Sequence, residues 1–168
     1  MPDVTLVADR ISLALERGGR VYTFGNGGSA ADAQHLACEL VGRFAIERPG
    51  YRAVALSTDT SVLTAIGNDY GYAEVFARQV EGLGRPGDVL VAITTSGRSE
   101  NVLRAAAKAK DRGLRLVAFL GPSRSPLDEL ADVALHVDAG SPSVIQQGHI
   151  TIGHALCGWV EAYLASPR

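Results

Sequence analysis

The chain has 168 residues, 46% of them hydrophobic, and a formal net charge of −2. That length suits one globular domain with a real core, residues 1–168, and the near-neutral balance gives no general field for nucleic acid or an anionic membrane, so an anionic ligand must be held by local groups. The opening MPDVTLVADRISLALERGG carries Asp3, Asp9 and Glu16, and no apolar run approaches a membrane span; this argues against a signal peptide or membrane helix and predicts a cytoplasmic protein. In chain order, the apolar spacing predicts a helix over 4–15, a strand over 20–25 and a helix over 29–44. A short strand at 52–57 follows, then a helical turn or two at 61–66 ending at Gly67-Asn68, and a helix over 73–83. Next come the strongest strand, 88–93, a helix over 100–112, strands at 114–120 and 133–137, and a long closing helix over 144–165. Continuous apolar strands alternating with helices predict a doubly wound parallel sheet covered on both faces, whose ligands sit at the carboxyl ends of the strands. The two cysteines, Cys38 and Cys157, are too few for a disulfide scaffold and read as buried thiols.

The richest segment is GNGGSAADAQHLACEL, Gly25 to Leu40. A strand leads into a glycine turn, Ser29-Ala30-Ala31-Asp32 has the form of a capping box, and the helix that follows places His35 and Glu39 four residues apart on one face. The neighbours Ala30, Ala31, Ala33, Leu36, Ala37, Cys38, Leu40 and Val41 predict a largely buried helix, in which ionisable groups must be paired, neutralised or liganded.

A second turn, TTSGRSENV, leaves the strongest strand for a helix. It offers the hydroxyls of Thr94, Thr95, Ser96 and Ser99 beside a helix N-terminus, an anion site that needs no extra charge. Capping accounts for one hydroxyl or two, which leaves a surplus. The closing segment IQQGHITIGHAL sets polar groups in an apolar helix. Gln147 shares nearly the azimuth of His154 and Gln146 lies about 80° away, so either glutamine can approach a group near His154. His149 points elsewhere and reads as a solvent-facing or capped histidine.

Four motifs, GNGGSAADAQHLACELVGRF, GNDYGY, TTSGRSENV and IQQGHITIGH, occur here in the order in which they occur in the sugar isomerase (SIS) family, and specifically resemble its sedoheptulose 7-phosphate isomerase (phosphoheptose isomerase) members, from about Arg20 onward. The resemblance implies a three-layer αβα sandwich with a five-stranded parallel sheet, and a homotetramer with active sites at subunit interfaces. It implies a divalent metal, usually zinc, at His35, Glu39, a glutamine that aligns with Gln146, and His154. Implied substrate contacts are Asn26, Gly27, Gly28, Glu39, Asn68, Asp69, Thr94, Thr95, Ser96, Ser99 and Gln146. The family usually has serine where Thr94 stands, and a further helix ahead of the one at 4–15.

The chemistry implied is aldose–ketose isomerisation of sedoheptulose 7-phosphate to D-glycero-D-manno-heptose 7-phosphate through an enediolate, as a step toward ADP- or GDP-heptose precursors. Glu39 would be the base and His154 the acid. The implied interface leaves open whether Glu39 and His154 meet within one chain or across two. One rival is a non-catalytic SIS protein, like the one that binds the bacterial replication initiator; such proteins lack the acidic residue and the last histidine, and this chain has both. A dinucleotide-binding protein would need an acidic group after the second strand, for which Asp59 is the candidate, and would leave His35 and His154 without a role.

Overall fold

The structure is a computed structural model and describes residues 2–166. Its elements run α1 (Pro2–Glu16), β1 (Val21–Gly25), α2 (Gly28–Val41), β2 (Ala53–Ala55), α3 (Thr60–Tyr70), a 3-10 turn (Tyr72–Glu74), α4 (Ala77–Leu83), β3 (Val89–Ile93), α5 (Glu100–Asp111), β4 (Arg115–Leu120), α6 (Pro126–Leu130), β5 (Val133–His136) and α7 (Pro142–Ala165). The five strands form one sheet in the order β2-β1-β3-β4-β5, every pairing parallel. The five residues of β1 and the five of β3 are all buried, as the unbroken apolar runs require of strands covered on both faces.

Each face of the sheet has its own core. Val7 and Ile11 of α1, Leu36 and Leu40 of α2 and Leu156 and Val160 of α7 pack on one side against Val21, Val89, Val91 and Val117. On the other, Val75, Phe76, Val102, Ala105 and Leu127 cover Tyr22, Phe24, Leu90 and Leu116. The strand order reverses direction between β1 and β3. That is the switch point where an open parallel sheet leaves a crevice beyond its carboxyl ends, and the two turns singled out above, after Gly25 and after Ile93, flank it as register partners.

Several elements differ from expectation for identifiable reasons. Ser29 does not open α2 as a capping box: the helix starts at Gly28 from Gly27, whose φ of 57 suits glycine, and Ser29 is buried inside the first turn. Helix α2 ends at Val41, three residues early, because Gly42 follows and the chain beyond is drawn to α7 (below). Helix α3 runs through Gly67-Asn68 to Gly71, whose φ of 87 ends it; a glycine inside a helix costs only about 1 kcal/mol. The stretch 73–83 divides into the 3-10 turn and α4, and β2 is three residues long. Helix α6, too short for periodicity, went unpredicted although Ser125 and Asp128 form a complete capping box. Cys38 is exposed, not buried, since it lies on the outer side of α2, whereas Cys157 is buried as expected. No helix among the described residues is long and apolar enough to cross a membrane.

Candidate active site

Helices α2 and α7 pack side by side on one face of the sheet. Their contact brings His154 against His35 and Glu39, from which the sequence separates it by more than a hundred residues. His35 Nε2 lies 3.0 Å from Glu39 Oε1 and 3.2 Å from His154 Nε2, and His154 Nε2 lies 3.4 Å from the same Glu39 oxygen. All three belong to one chain, so Glu39 and His154 meet within a subunit. The two imidazoles are about half exposed, whereas Glu39 is only 14% exposed.

This triangle has the dimensions of a metal site. Nitrogen and oxygen ligands at about 2.0–2.2 Å from a tetrahedral ion stand about 3.4 Å from one another, close to the three separations here. Glu39 Oε2 is buried with no hydrogen-bond partner, a costly state for a carboxylate oxygen and one that favours a cation at its other oxygen. His35, Glu39 and His154 could therefore hold a metal ion.

Surrounding groups set the environment of these three. The Phe44 ring stacks on His154 with centroids 5.7 Å apart and planes at 22°. Burial pushes the Cys157 thiol far up, with the Glu39 and Glu161 carboxylates adding to the effect, so it stays protonated. Asp32, expected to cap the helix, is half-buried one turn before His35; its Oδ2 has no partner and burial raises its carboxyl, opposed by His35.

The glutamines separate clearly. Gln146 is half-buried with its amide pressed against Gly28, where a Cβ would come within 2.5 Å of Gln146 Nε2. Gln147 is exposed. Gly28 therefore admits Gln146 to the mouth of the first turn, about 80° around α7 from His154. His149 is buried, not solvent-facing: Nε2 donates to Leu120 O at 3.1 Å, Nδ1 has no partner, and burial lowers its pKa.

In the first turn, Asn26 and Asn101 exchange two amide hydrogen bonds, at 2.9 and 3.0 Å, and Tyr72 Oη donates to Asn26 Oδ1 at 3.3 Å. Gly27 and Gly28 are exposed beside them. Asn101 and Tyr72 were missed in the sequence; an asparagine just inside a helix reads as capping, and only the adjacency of β1 and β3 shows what Asn101 faces. In the second turn, two hydroxyls serve the turn itself: Thr94 Oγ1 accepts from Gly97 N at 3.2 Å and Ser96 Oγ from Arg98 N at 3.3 Å. Ser99 is the N-cap residue of α5 but its side chain makes no cap bond, leaving its hydroxyl and that of half-buried Thr95 for a ligand. Asn68 and Asp69 are exposed on the last turn of α3, bonded to each other at 2.8 Å, and are not drawn into the three-residue cluster.

Known proteins resemble this chain over most of its length. The family model "SIS domain" matches residues 2–121. Phosphoheptose isomerase of Burkholderia pseudomallei is 52% identical over 158 residues, 94% of this chain and 80% of that protein. The Aquifex aeolicus phosphoheptose isomerase is 54% identical over 155 residues, covering 92% and 81% of the two chains. Among solved structures, phosphoheptose isomerases from Francisella tularensis and Neisseria gonorrhoeae superpose with TM-scores of 0.92 and 0.91 at 38% and 42% identity, each over 96% of this chain and 86% of the other. With the His–Glu–His cluster and the two strand-end turns in place, this chain belongs to the SIS family and, within it, to the phosphoheptose isomerases, enzymes that isomerise a sugar phosphate.

Proposed function

We propose that the chain interconverts sedoheptulose 7-phosphate and D-glycero-D-manno-heptose 7-phosphate through an enediolate, supplying precursors of ADP- or GDP-heptose. The observation that carries this reading is the convergence of Glu39, His35 and His154 within 3.4 Å next to two strand-end turns, one rich in amides and one in hydroxyls. Glu39 takes the proton from C1 of the ketose and returns it to C2, while His154 exchanges protons with the sugar oxygens. The low exposure of Glu39 keeps water from competing for that proton. Asn26, Gly27, Gly28 and Gln146 orient the sugar from the first turn, and Thr95, Ser96 and Ser99 hold the phosphate at the N-terminus of α5, with Thr94 shaping the turn beneath. Asn68 and Asp69 would reach the substrate from the end of α3.

Zinc suits the nitrogen and oxygen donors of His35, Glu39, Gln146 and His154, and when bound supplies Lewis-acid stabilisation of the enediolate. Residues 1–168 form one SIS domain in this reading, in a homotetramer whose interfaces border the sites. Apolar residues exposed on and beside α2, among them Val41, Ile46 and Val54, support burial of that face. Purified protein incubated with sedoheptulose 7-phosphate should form the C2-epimeric aldoses' manno isomer, detected by NMR; no aldose from this ketose, with turnover of a shorter sugar phosphate, would refute the substrate.

A further inference from the structure

Behind the second turn lies a separate cluster of charged groups, Asp128, His136 and Arg124. His136 closes β5, and its ring has two oxygen neighbours: Nδ1 is 2.7 Å from Gly121 O, and Nε2 is 2.7 Å from Asp128 Oδ1. A carbonyl can only accept. Asp128 is also an acceptor here: burial alone would raise its carboxyl, but hydrogen bonds from the Ser125 hydroxyl and amide and from His136 outweigh burial and hold it below the usual carboxylate range. Both ring nitrogens therefore face acceptors at hydrogen-bond distance. Arg124 stands 3.6 Å from the same Asp128 oxygen at the exposed side.

The two acceptors of His136 serve the two ends of the loop 121–125, and both ends lie against the turn at 94–99. A Cβ on Gly121 would come 2.3 Å from Thr95 O. At the other end Ser125, which gives its hydroxyl to Asp128 at 2.8 Å, sits under Gly97, where a Cβ would come 2.1 Å from Ser125 Oγ. Between them Arg98 donates to Arg124 O at 3.1 Å. The loop is thus a floor in direct contact with the second turn, and a single side chain fastens both of its edges.

We propose that His136 is a positioning residue for the phosphate end of the substrate: by bridging Gly121 O and Asp128, it fixes the floor that sets the turn 94–99 and the Ser99 hydroxyl for a phosphate dianion. This role rests on the placement of the phosphate at that turn. It touches no reacting atom and predicts an effect on binding without one on chemistry.

The test compares wild type, His136→Gln, His136→Leu and Ser99→Ala by KM and kcat for sedoheptulose 7-phosphate and by the competitive inhibition constant of inorganic phosphate. His136→Leu should raise KM and the phosphate constant together by about tenfold, the loss of roughly one charge-assisted hydrogen bond, with kcat within about twofold. His136→Gln, whose one nitrogen reaches one acceptor, should fall between Leu and wild type, and decides alone if the Leu variant does not fold. A variant that loses melting temperature or kcat while KM and the phosphate constant stay unchanged would give His136 a merely structural role and overturn the proposal. Ser99→Ala separates the two readings: if it weakens phosphate and neither His136 variant does, only the role of His136 fails. If Ser99→Ala leaves phosphate inhibition unchanged, the phosphate placement fails and the role of His136 with it.

Discussion

Arg48 and Glu161 form a buried ion pair, Nε to Oε1 at 2.9 Å, with side chains 5% and 2% exposed. Glu161 also accepts from the backbone N–H groups of Phe44, Ala45 and Ile46 at 2.8, 2.8 and 3.1 Å, and Arg48 donates to the carbonyls of Glu39, Leu40, Gly42 and Pro49. One carboxylate thus ends α2, folds the segment behind it onto α7, and holds Phe44 against His154. Removing one partner of such a pair leaves the other buried and unpaired.

Glu161→Ala should therefore cost about 3–5 kcal/mol of stability, read from urea unfolding. The pH dependence follows from the same contacts. Burial alone would raise the Glu161 carboxyl, but the three amides and Arg48 outweigh it, so its folded pKa lies below the ordinary 4.5. A lowered folded pKa means the stabilisation is complete above pH 4.5 and is lost as pH falls through the folded value. Wild-type unfolding midpoints should drop below that pH, and Glu161→Gln should show a shallower drop over the same range.

His149 gives a second, higher window. Its folded pKa is depressed below 6.5 by burial, and its unpartnered Nδ1 has nowhere to donate a second proton. Stability from this residue is present above pH 6.5 and declines as the pH falls below it. Urea midpoints measured between pH 7.5 and 5.5, in roughly half-unit steps, should fall in wild type and stay flatter in His149→Phe; equal slopes would contradict the assignment.

Glu39→Gln keeps the shape of the side chain and removes the basic oxygen. Turnover should fall by about 10²–10⁴ with the fold retained, and activity within about tenfold of wild type would remove Glu39 from the base role. Because Glu39 and His154 stand 3.4 Å apart in the same chain, mixing Glu39→Gln with His154→Ala subunits should restore no activity. Rescue in mixed oligomers confirmed by mass would mean that sites are completed across chains.

Zinc should raise the melting temperature of metal-stripped protein, because an ion bound only to the folded state stabilises it by about 2.7 kcal/mol at a hundred times its dissociation constant. His35→Ala and His154→Ala should abolish that shift, and chelation should slow the wild-type enzyme reversibly. A melting temperature indifferent to zinc, with no metal found on analysis, would leave these three residues with acid–base and hydrogen-bonding roles alone.

Much of this architecture is written in local patterns. The unbroken apolar runs at 89–93 and 116–120 announce buried parallel strands, and the spacing of His35 and Glu39 already puts them on one helix face. What the sequence withholds is contact between distant segments. That Asn101 faces Asn26, that Gln146 and not Gln147 packs against Gly28, and that His136 supports the second turn all depend on which strands become neighbours. The misread start of α2 has a different origin: Ser29 and Asp32 have the composition of a cap, yet Gly27 can adopt a backbone conformation that makes one unnecessary. Likewise α2 stops early because of Glu161, more than a hundred residues downstream.

The first and last helices, α1 and α7, pack against one another, and His154 lies 119 residues after His35. On a ribosome adding about 5–20 residues per second, that interval is on the order of ten seconds. During it, β1, α2 and β3 can already pair while the apolar faces of α1 and α2 have no covering helix. A nascent chain therefore leaves those faces open until α7 emerges, and a truncation that removes α7 would deprive it of His154, of Glu161 and of one of the three helices that cover one face of the sheet at a single stroke.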